Sequence, residues 1–264
     1  MVGETLEQAT RMGAPRAVAL CQNFGGYLDF QSGAWEEAER SLRSAVETYR
    51  EFGAASGESL SLQRLGVLLT AKGRLAEGLE VLDEGVVVAE RAVMRAHALT
   101  RLYASIARNR LAAVDLDAAD RALEQGHDEA RRHGNCVTCN GLLLPESVRV
   151  HLAMGRHQAA HEDADKLEAI AATYESRLWS AMARHARGRC LLASGELAGA
   201  DAALKEAEEA YADYGDVYEA ARCRVARALA ISDPERQSEV AAPARETLKR
   251  LGTERVEGEV SKFV

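Results

Sequence analysis

One turn residue recurs along this chain at nearly constant spacing. Gly33, Gly73, Val114, Gly155 and Gly195 are separated by 40, 41, 41 and 40 residues, and each is followed five positions on by a small residue, Ala38, Gly78, Ala119, Ala160 and Ala200. A period this long, with no strand-like alternation between the turns, leaves stacked helical hairpins, in which each unit buries its apolar face only against its neighbours. Composition agrees. Hydrophobic residues make up 47% of the 264 positions but aromatics only 5%, with four prolines. A core of Ala and Leu suits closely packed helices, so the chain reads as all-α.

The units are 15–53, 54–94, 95–134, 135–175 and 176–215, full hairpins within one repeat domain spanning 1–264. In each second helix a stripe such as Trp35, Ala38, Leu42 and Ala45 follows i, i+3, i+7, i+10 spacing, one face of a 3.6-residue helix. Small residues also sit seven positions before the turn, at Gly26, Gly66, Ala107 and Gly188, where neighbouring helices must approach closely. The register extends backward, since Leu6 matches Val46 and Gly13 matches Gly53. Residues 4–14 therefore read as an orphan second helix, and the chain as a C-terminal piece of a longer protein. At the other end, 216–264 reads as a partial repeat and cap: a helix over 216–231, a break at Asp233-Pro234, a further helix over 235–251 and a polar tail, TERVEGEVSKFV.

This set of small and large positions resembles the tetratricopeptide repeat (TPR), with a unit about six residues longer than the usual 34. Repeats near 40 residues are similar to the C-terminal sensor region of large bacterial ATP-dependent transcriptional regulators, the MalT-like class of signalling ATPases. The resemblance implies a right-handed superhelical solenoid of about five to six hairpins. It also implies a non-enzymatic module that senses an effector, takes part in transcriptional regulation and scaffolds protein–protein contacts. It transfers no individual effector-binding residue, because fold does not specify function.

The net charge of −8 argues against a nucleic-acid footprint over the whole protein. It also hides a pattern. Counting Lys and Arg against Asp and Glu, the six first helices carry a net +10 and the five complete second helices a net −15. In the resembled family the first helices line the concave face, which implies a basic groove inside an acidic shell. Arg108, Arg149 and Arg189 fall six residues before the turn in three consecutive units. Guanidinium groups offer a rigid donor fork suited to carboxylate or phosphate. Arg101 and His185 extend the expected groove, while Tyr27, Asn23 and Gln63 supply a more neutral end. The competing reading pairs these arginines with acids of their own or an adjacent hairpin.

Other chemistry is sparse. Cys136 and Cys139 form CVTC, with His127 and His133 upstream, which suits half a zinc site or a redox pair. His133, three residues before Cys136, is poorly spaced to close a tetrahedral site, so these thiols are weak metal candidates and no cofactor is expected. The stretch from Gly134 to Pro145 is the one irregular first helix. Pro145 there predicts a late helix start or a kink, and with it a locally wider groove. His157 occupies the slot of Trp35 and is expected in the core, with His161 on the surface. His151 with these two makes only a weak metal spacing. Cys21, Cys190 and Cys223 read as buried filling. Gly-rich phosphate loops, GxSxG and HExxH are absent from the sequence. Without an apolar leader or an 18-residue apolar run, the expected location is the cytoplasm with reduced thiols. Expected partners are an acidic peptide, a small anionic effector or a segment of a parent protein, with self-association through exposed repeat ends. The alternative is a stand-alone enzyme or a metal or redox accessory protein working through Cys136 and Cys139.

Overall fold

The computed structural model describes residues 2–253, and these form thirteen α-helices and no strand. The short helix α1 (Val2–Arg11) packs on α2. Six hairpins follow: α2 (Pro15–Ser32) with α3 (Trp35–Glu51), α4 (Ala55–Ala71) with α5 (Leu75–Ala89), and α6 (Arg95–Ala112) with α7 (Leu116–Arg132). The array continues with α8 (Val137–Ala153) and α9 (His157–Tyr174), α10 (Arg177–Ala193) and α11 (Leu197–Tyr214), then α12 (Val217–Leu229) and α13 (Pro234–Arg250). Of the polar tail, only Thr253 falls within the described residues.

The recurrent turn is a left-handed helix cap. At Gly33 φ is +90°, the Gly33 N–H reaches the Phe30 carbonyl, and the Ala34 N–H donates to Asp29 O at 2.8 Å, closing the carbonyls the helix leaves open. Glycine takes this conformation without a Cβ clash. Val114 holds the same turn at φ +61°, so the geometry is imposed by the packing of α6 on α7 even where a β-branched side chain disfavours it. The small positions inside helices have a separate cause. A Cβ on Gly66 or Gly188 would come 2.5 Å from the side chain of Leu82 or Leu204, the leucines that fill the second helix of each hairpin. Both leucines are fully buried.

First helices pack on first helices, α2 on α4, α4 on α6, α6 on α8, α8 on α10 and α10 on α12, and so form an inner layer. The array also closes on itself. The sixth hairpin reaches the first, and one apolar cluster holds Phe30, Trp35 and Leu42 together with Tyr218, Ala244 and Leu248. Tyr218 meets the Trp35 ring edge-on at 5.4 Å and the Phe30 ring at 6.2 Å. A Cβ on Gly33 would touch Val217 and Leu251. Part of the first and last repeat surface, expected to lie exposed, is therefore covered by intramolecular contact. An apolar stripe of Leu20, Phe24 and Leu28 on α2 stays about half exposed.

Two local expectations are corrected. α8 begins at Val137 rather than near Pro145 and runs through the proline as one helix. The position four residues before Pro145 is Gly141, whose missing Cβ leaves space that Trp179 fills. His157 is exposed, not in the core. Its slot is the first residue of a second helix, at the rim of the array, and Trp35 is buried there against Phe30 and the Tyr218 ring of the last hairpin.

Candidate ligand cavity

The inner helices surround a cavity of about 320 Å³. Most of its lining comes from four repeat positions. Six residues before each turn stand Tyr27, Val67, Arg108, Arg149 and Arg189, and nine before stand Arg64, Ser105, Glu146 and Ala186. Ten before come Gln63, Ala104, Pro145 and His185, and thirteen before come Arg101, Leu142 and Met182. Spacings of three, four and seven lie on one helical face, so the repeat itself aims these side chains inward. α12 adds Asp216, Glu219 and Arg222.

Seven of the eight expected groove residues line this cavity. Asn23 does not, although it sits ten residues before its turn. Its side chain instead donates to Ser61 Oγ and accepts from Arg64, and it is buried between α2 and α4. Arg64, Glu146, Asp216, Glu219 and Arg222 join the cavity lining from positions that the sequence pattern does not mark. The 41-residue steps through Arg64, Ser105 and Glu146 were the available signal, obscured because the chemical type changes at each step.

On the side where the array closes, acids stand against Arg108, Arg149 and Arg222. Glu219 Oε1 accepts from Arg108 Nη2 at 2.8 Å, and its Oε2 from Arg222 Nη1 at 2.7 Å. Arg149 Nη1 donates to Glu146 Oε2 at 2.7 Å, and Arg108 Nη1 lies 3.7 Å from Glu146 Oε1. Burial opposes the charge on Glu219, but Arg222 and Arg108 outweigh it and hold this carboxyl well below the usual range. The same acids raise Arg108 despite its burial. Burial, reinforced by Arg189 and Arg222, pushes His185 well below its ordinary value, so the ring is neutral. Its Nε2 accepts from Arg189 Nε at 2.9 Å. Asp216 caps α12 by accepting from the Glu219 N–H at 3.0 Å and receives Gln31 Nε2 at 3.4 Å. Burial and the nearby Glu219 raise it to about 6.

The opposite side is different. Arg64 is buried, donates to Asn23 O at 3.1 Å and lies over the rings of Phe24 and Tyr27, 4.4 and 4.8 Å from their centroids. Arg101 Nη1 lies 3.3 Å from His97 Nε2, and its buried Nε has no hydrogen-bond partner. Neither guanidinium has a carboxylate partner among the described residues. Desolvation lowers Arg64 to about 10 and lowers Arg101 in the same direction. Tyr27 is raised to about 12, chiefly by burial.

Much of the charge difference between layers is spent outside the cavity. Arg95 reaches Glu129, Arg184 reaches Glu206, Arg187 reaches Glu168 and Arg227 reaches Asp201, at 2.7 to 3.0 Å. These pairs join first helices to second helices. The basic layer is therefore in large part a set of interlayer ion pairs, and the cavity uses only a minority of its arginines.

The CVTC segment lies beside the Arg101 end. Gly134 and Asn135 are both left-handed, with φ +73° and +55°, and lead into Cys136 at the start of α8. The sequence pointed to His127 and His133, but the histidine brought onto these thiols is His97 of α6, with Nδ1 2.9 Å from Cys139 Sγ. His127 pairs with Ser147 Oγ, and the His133 ring stands edge-on to His97 with centroids 6.4 Å apart. Cys139 is buried and pushed up to about 12, chiefly by burial. Burial acts the same way on half-buried Cys136, but hydrogen bonds around Thr138 and Cys139 turn the net shift downward. His151, His157 and His161 are not drawn together. His151 faces Asp163 at 3.2 Å, and His161 approaches Ser194. Cys21, Cys190 and Cys223 are buried singly.

Stacked hairpins around a charged central cavity define a helical-repeat domain. The family of MalT-like TPR regions matches residues 11–260, nearly the whole chain, and the protein belongs to that family. No curated protein matches the chain. Families of this TPR type generally carry no catalytic activity, mediate protein interactions and supply sensor or scaffold modules of larger regulators. No helix among the described residues is long and apolar enough to cross a membrane.

Proposed function

We propose that this domain is a non-enzymatic sensor module of a larger bacterial signalling regulator, working in the cytoplasm, and that its central cavity takes a small organic anion. The observation that carries this reading is the pair of desolvated guanidiniums, Arg64 and Arg101, that face the cavity without a carboxylate partner. A buried charge without a counterion is costly, and a phosphate or carboxylate placed between the two forks relieves that cost with charge-assisted hydrogen bonds. Gln63 and Ser105 stand beside them as neutral polar partners, and Tyr27 and Phe30 offer a surface for the ligand's apolar body. A volume of about 320 Å³ lies at the small end of ligand sites and favours a metabolite-sized effector over a peptide segment.

The test is isothermal titration of the purified chain against a panel of sugar phosphates, nucleotides and dicarboxylates. One class is expected to bind, with affinity falling at least ~10-fold in Arg64→Met and again in Arg101→Met. Binding that survives both substitutions, or no binding by any anion up to millimolar concentration, would overturn the reading.

A further inference from the structure

We infer that His97, Cys136 and Cys139 form a binding site for a thiophilic divalent cation, Zn²⁺ by chemistry, behind Arg101 at one end of the central cavity. The ligand atoms of these three residues all lie within 4.8 Å of one another, and they are the one group of three or more His, Cys, Asp or Glu side chains with this geometry among the described residues. A tetrahedral zinc site with Zn–S near 2.3 Å and Zn–N near 2.0 Å places its ligand atoms about 3.4–3.8 Å apart. The observed cluster reaches that arrangement with side-chain adjustments of about 1 Å.

Chain geometry supports a built site over a chance contact. The two consecutive left-handed residues before Cys136 lead the chain into α8, and Cys136 and Cys139 occupy the first turn of that helix, against His97 on α6. Cys136 holds the cap position of α8, with its Sγ 3.2 Å from Thr138 Oγ1. It is half-buried and gives an ion a route in, while Cys139 is fully enclosed. The other three cysteines fill apolar positions one at a time. The ligand set of two sulfurs and one imidazole excludes Mg²⁺ and Ca²⁺, which take oxygen ligands, and leaves a fourth position to solvent or an exogenous ligand.

Without metal, the contacts fix the histidine tautomer. Nε2 accepts from Arg101, so Nδ1 carries the proton and donates it to Cys139 Sγ. Binding M²⁺ at Nδ1 and both sulfurs releases two thiol protons and moves the imidazole proton to Nε2, where it opposes the Arg101 N–H. The two thiolates and the cation together are neutral. Arg101 then loses its one polar partner and turns to the cavity, so the ion acts on the same end of the cavity that the anion occupies.

The experiment is titration of the reduced full chain with Co²⁺, read by absorbance and followed by Zn²⁺ competition. One equivalent is expected to give a thiolate-to-cobalt charge-transfer band with tetrahedral d–d bands, and Zn²⁺ is expected to abolish both. His97→Ala and Cys136→Ser should each weaken binding at least ~100-fold while the helical circular dichroism and melting curve stay those of the parent. Cys136→Ser is the deciding variant, because Cys139 is enclosed and its loss can disturb folding. Absence of a charge-transfer band overturns the inference. So does a band that persists in His97→Ala, or a Cys136–Cys139 disulfide that forms under mild oxidation in a protein whose reduced form takes up no metal. None of these readouts requires the anion to be known.

Discussion

Two sides of one cavity use the same residue type for opposite ends. Where the array closes, Arg108, Arg149 and Arg222 are held by Glu219 and Glu146. Across the cavity, Arg64 and Arg101 lean on an asparagine, aromatic rings and a histidine. All five arginines come from inner helices and share the same solvent-poor space. What separates them is whether an acid stands one helical turn away or across the closure. A paired guanidinium has its field consumed by the fold and has little left for a ligand. An unpaired one keeps its field, at a desolvation cost that a bound anion can offset.

The largest effect expected from breaking this comparison is on the paired side. Glu219→Ala leaves Arg108 and Arg222 buried without their carboxylate, and removal of one partner from such a network costs about 3–5 kcal/mol. Urea unfolding followed by circular dichroism measures it. Because Glu219 joins α12 to α6, the loss should be accompanied by loosening of α12 from the inner layer, read as quicker hydrogen exchange along α12. A loss under about 1 kcal/mol would mean that the acids do not hold the closed array together, and the distinction between the two sides would fail.

A middle-sized effect comes from Asp216, the acid on the closing side that is not matched by a cation. Its carboxyl binds a proton near pH 6 in the folded protein, against about 3.8 without that environment. The native state therefore holds more protons than the unfolded chain between about pH 4 and 6, and stability from this group falls as pH rises through that window. Two pH units correspond to roughly 2–3 kcal/mol. Asn still accepts the Glu219 N–H as a helix cap and removes the repulsion. Asp216→Asn is expected to stabilise the protein by up to that amount at pH 7–8, with the gain shrinking through pH 6 and gone near pH 4. A gain independent of pH would assign the effect to something other than ionisation.

How much of this could be read from the chain differs by physical cause. The hairpins were legible because steric needs recur identically: a left-handed turn every 40 or 41 residues, and a small residue wherever Leu82 or Leu204 presses on its neighbour. Arg108, Arg149 and Arg189 were legible for the same reason, since one repeat position keeps one residue type. Arg64 and Glu146 share a repeat position but carry opposite charge, so no periodic search finds both. Glu219 became part of the site only because the array brings the sixth hairpin across to the third, a contact between residues 111 positions apart that no local pattern encodes. His97 lies one hairpin away from CVTC in sequence and next to it in space. Asn23 shows the converse error: the periodic position was right, but Ser61 and Arg64 drew its side chain aside.

The smallest expected effect tests the layer of charge that dominates the sequence. Arg184 and Arg189 share α10, yet Arg184 points outward to Glu206 with both side chains about half exposed, while Arg189 is enclosed beside His185. An exposed pair of this kind contributes about 0–1 kcal/mol, because water screens the charges and two long side chains lose freedom on pairing. Arg184→Ala should therefore lower stability by under about 0.5 kcal/mol in physiological salt, and by nothing measurable at 1 M salt, where the Debye length is near 3 Å. Anion binding in the cavity should be unchanged. A loss well above 1 kcal/mol that persists in high salt would show that the interlayer pairs bear on the fold as strongly as the enclosed ones. The division between arginines that stitch the layers and arginines that wait for a ligand would then have to be drawn by something other than burial.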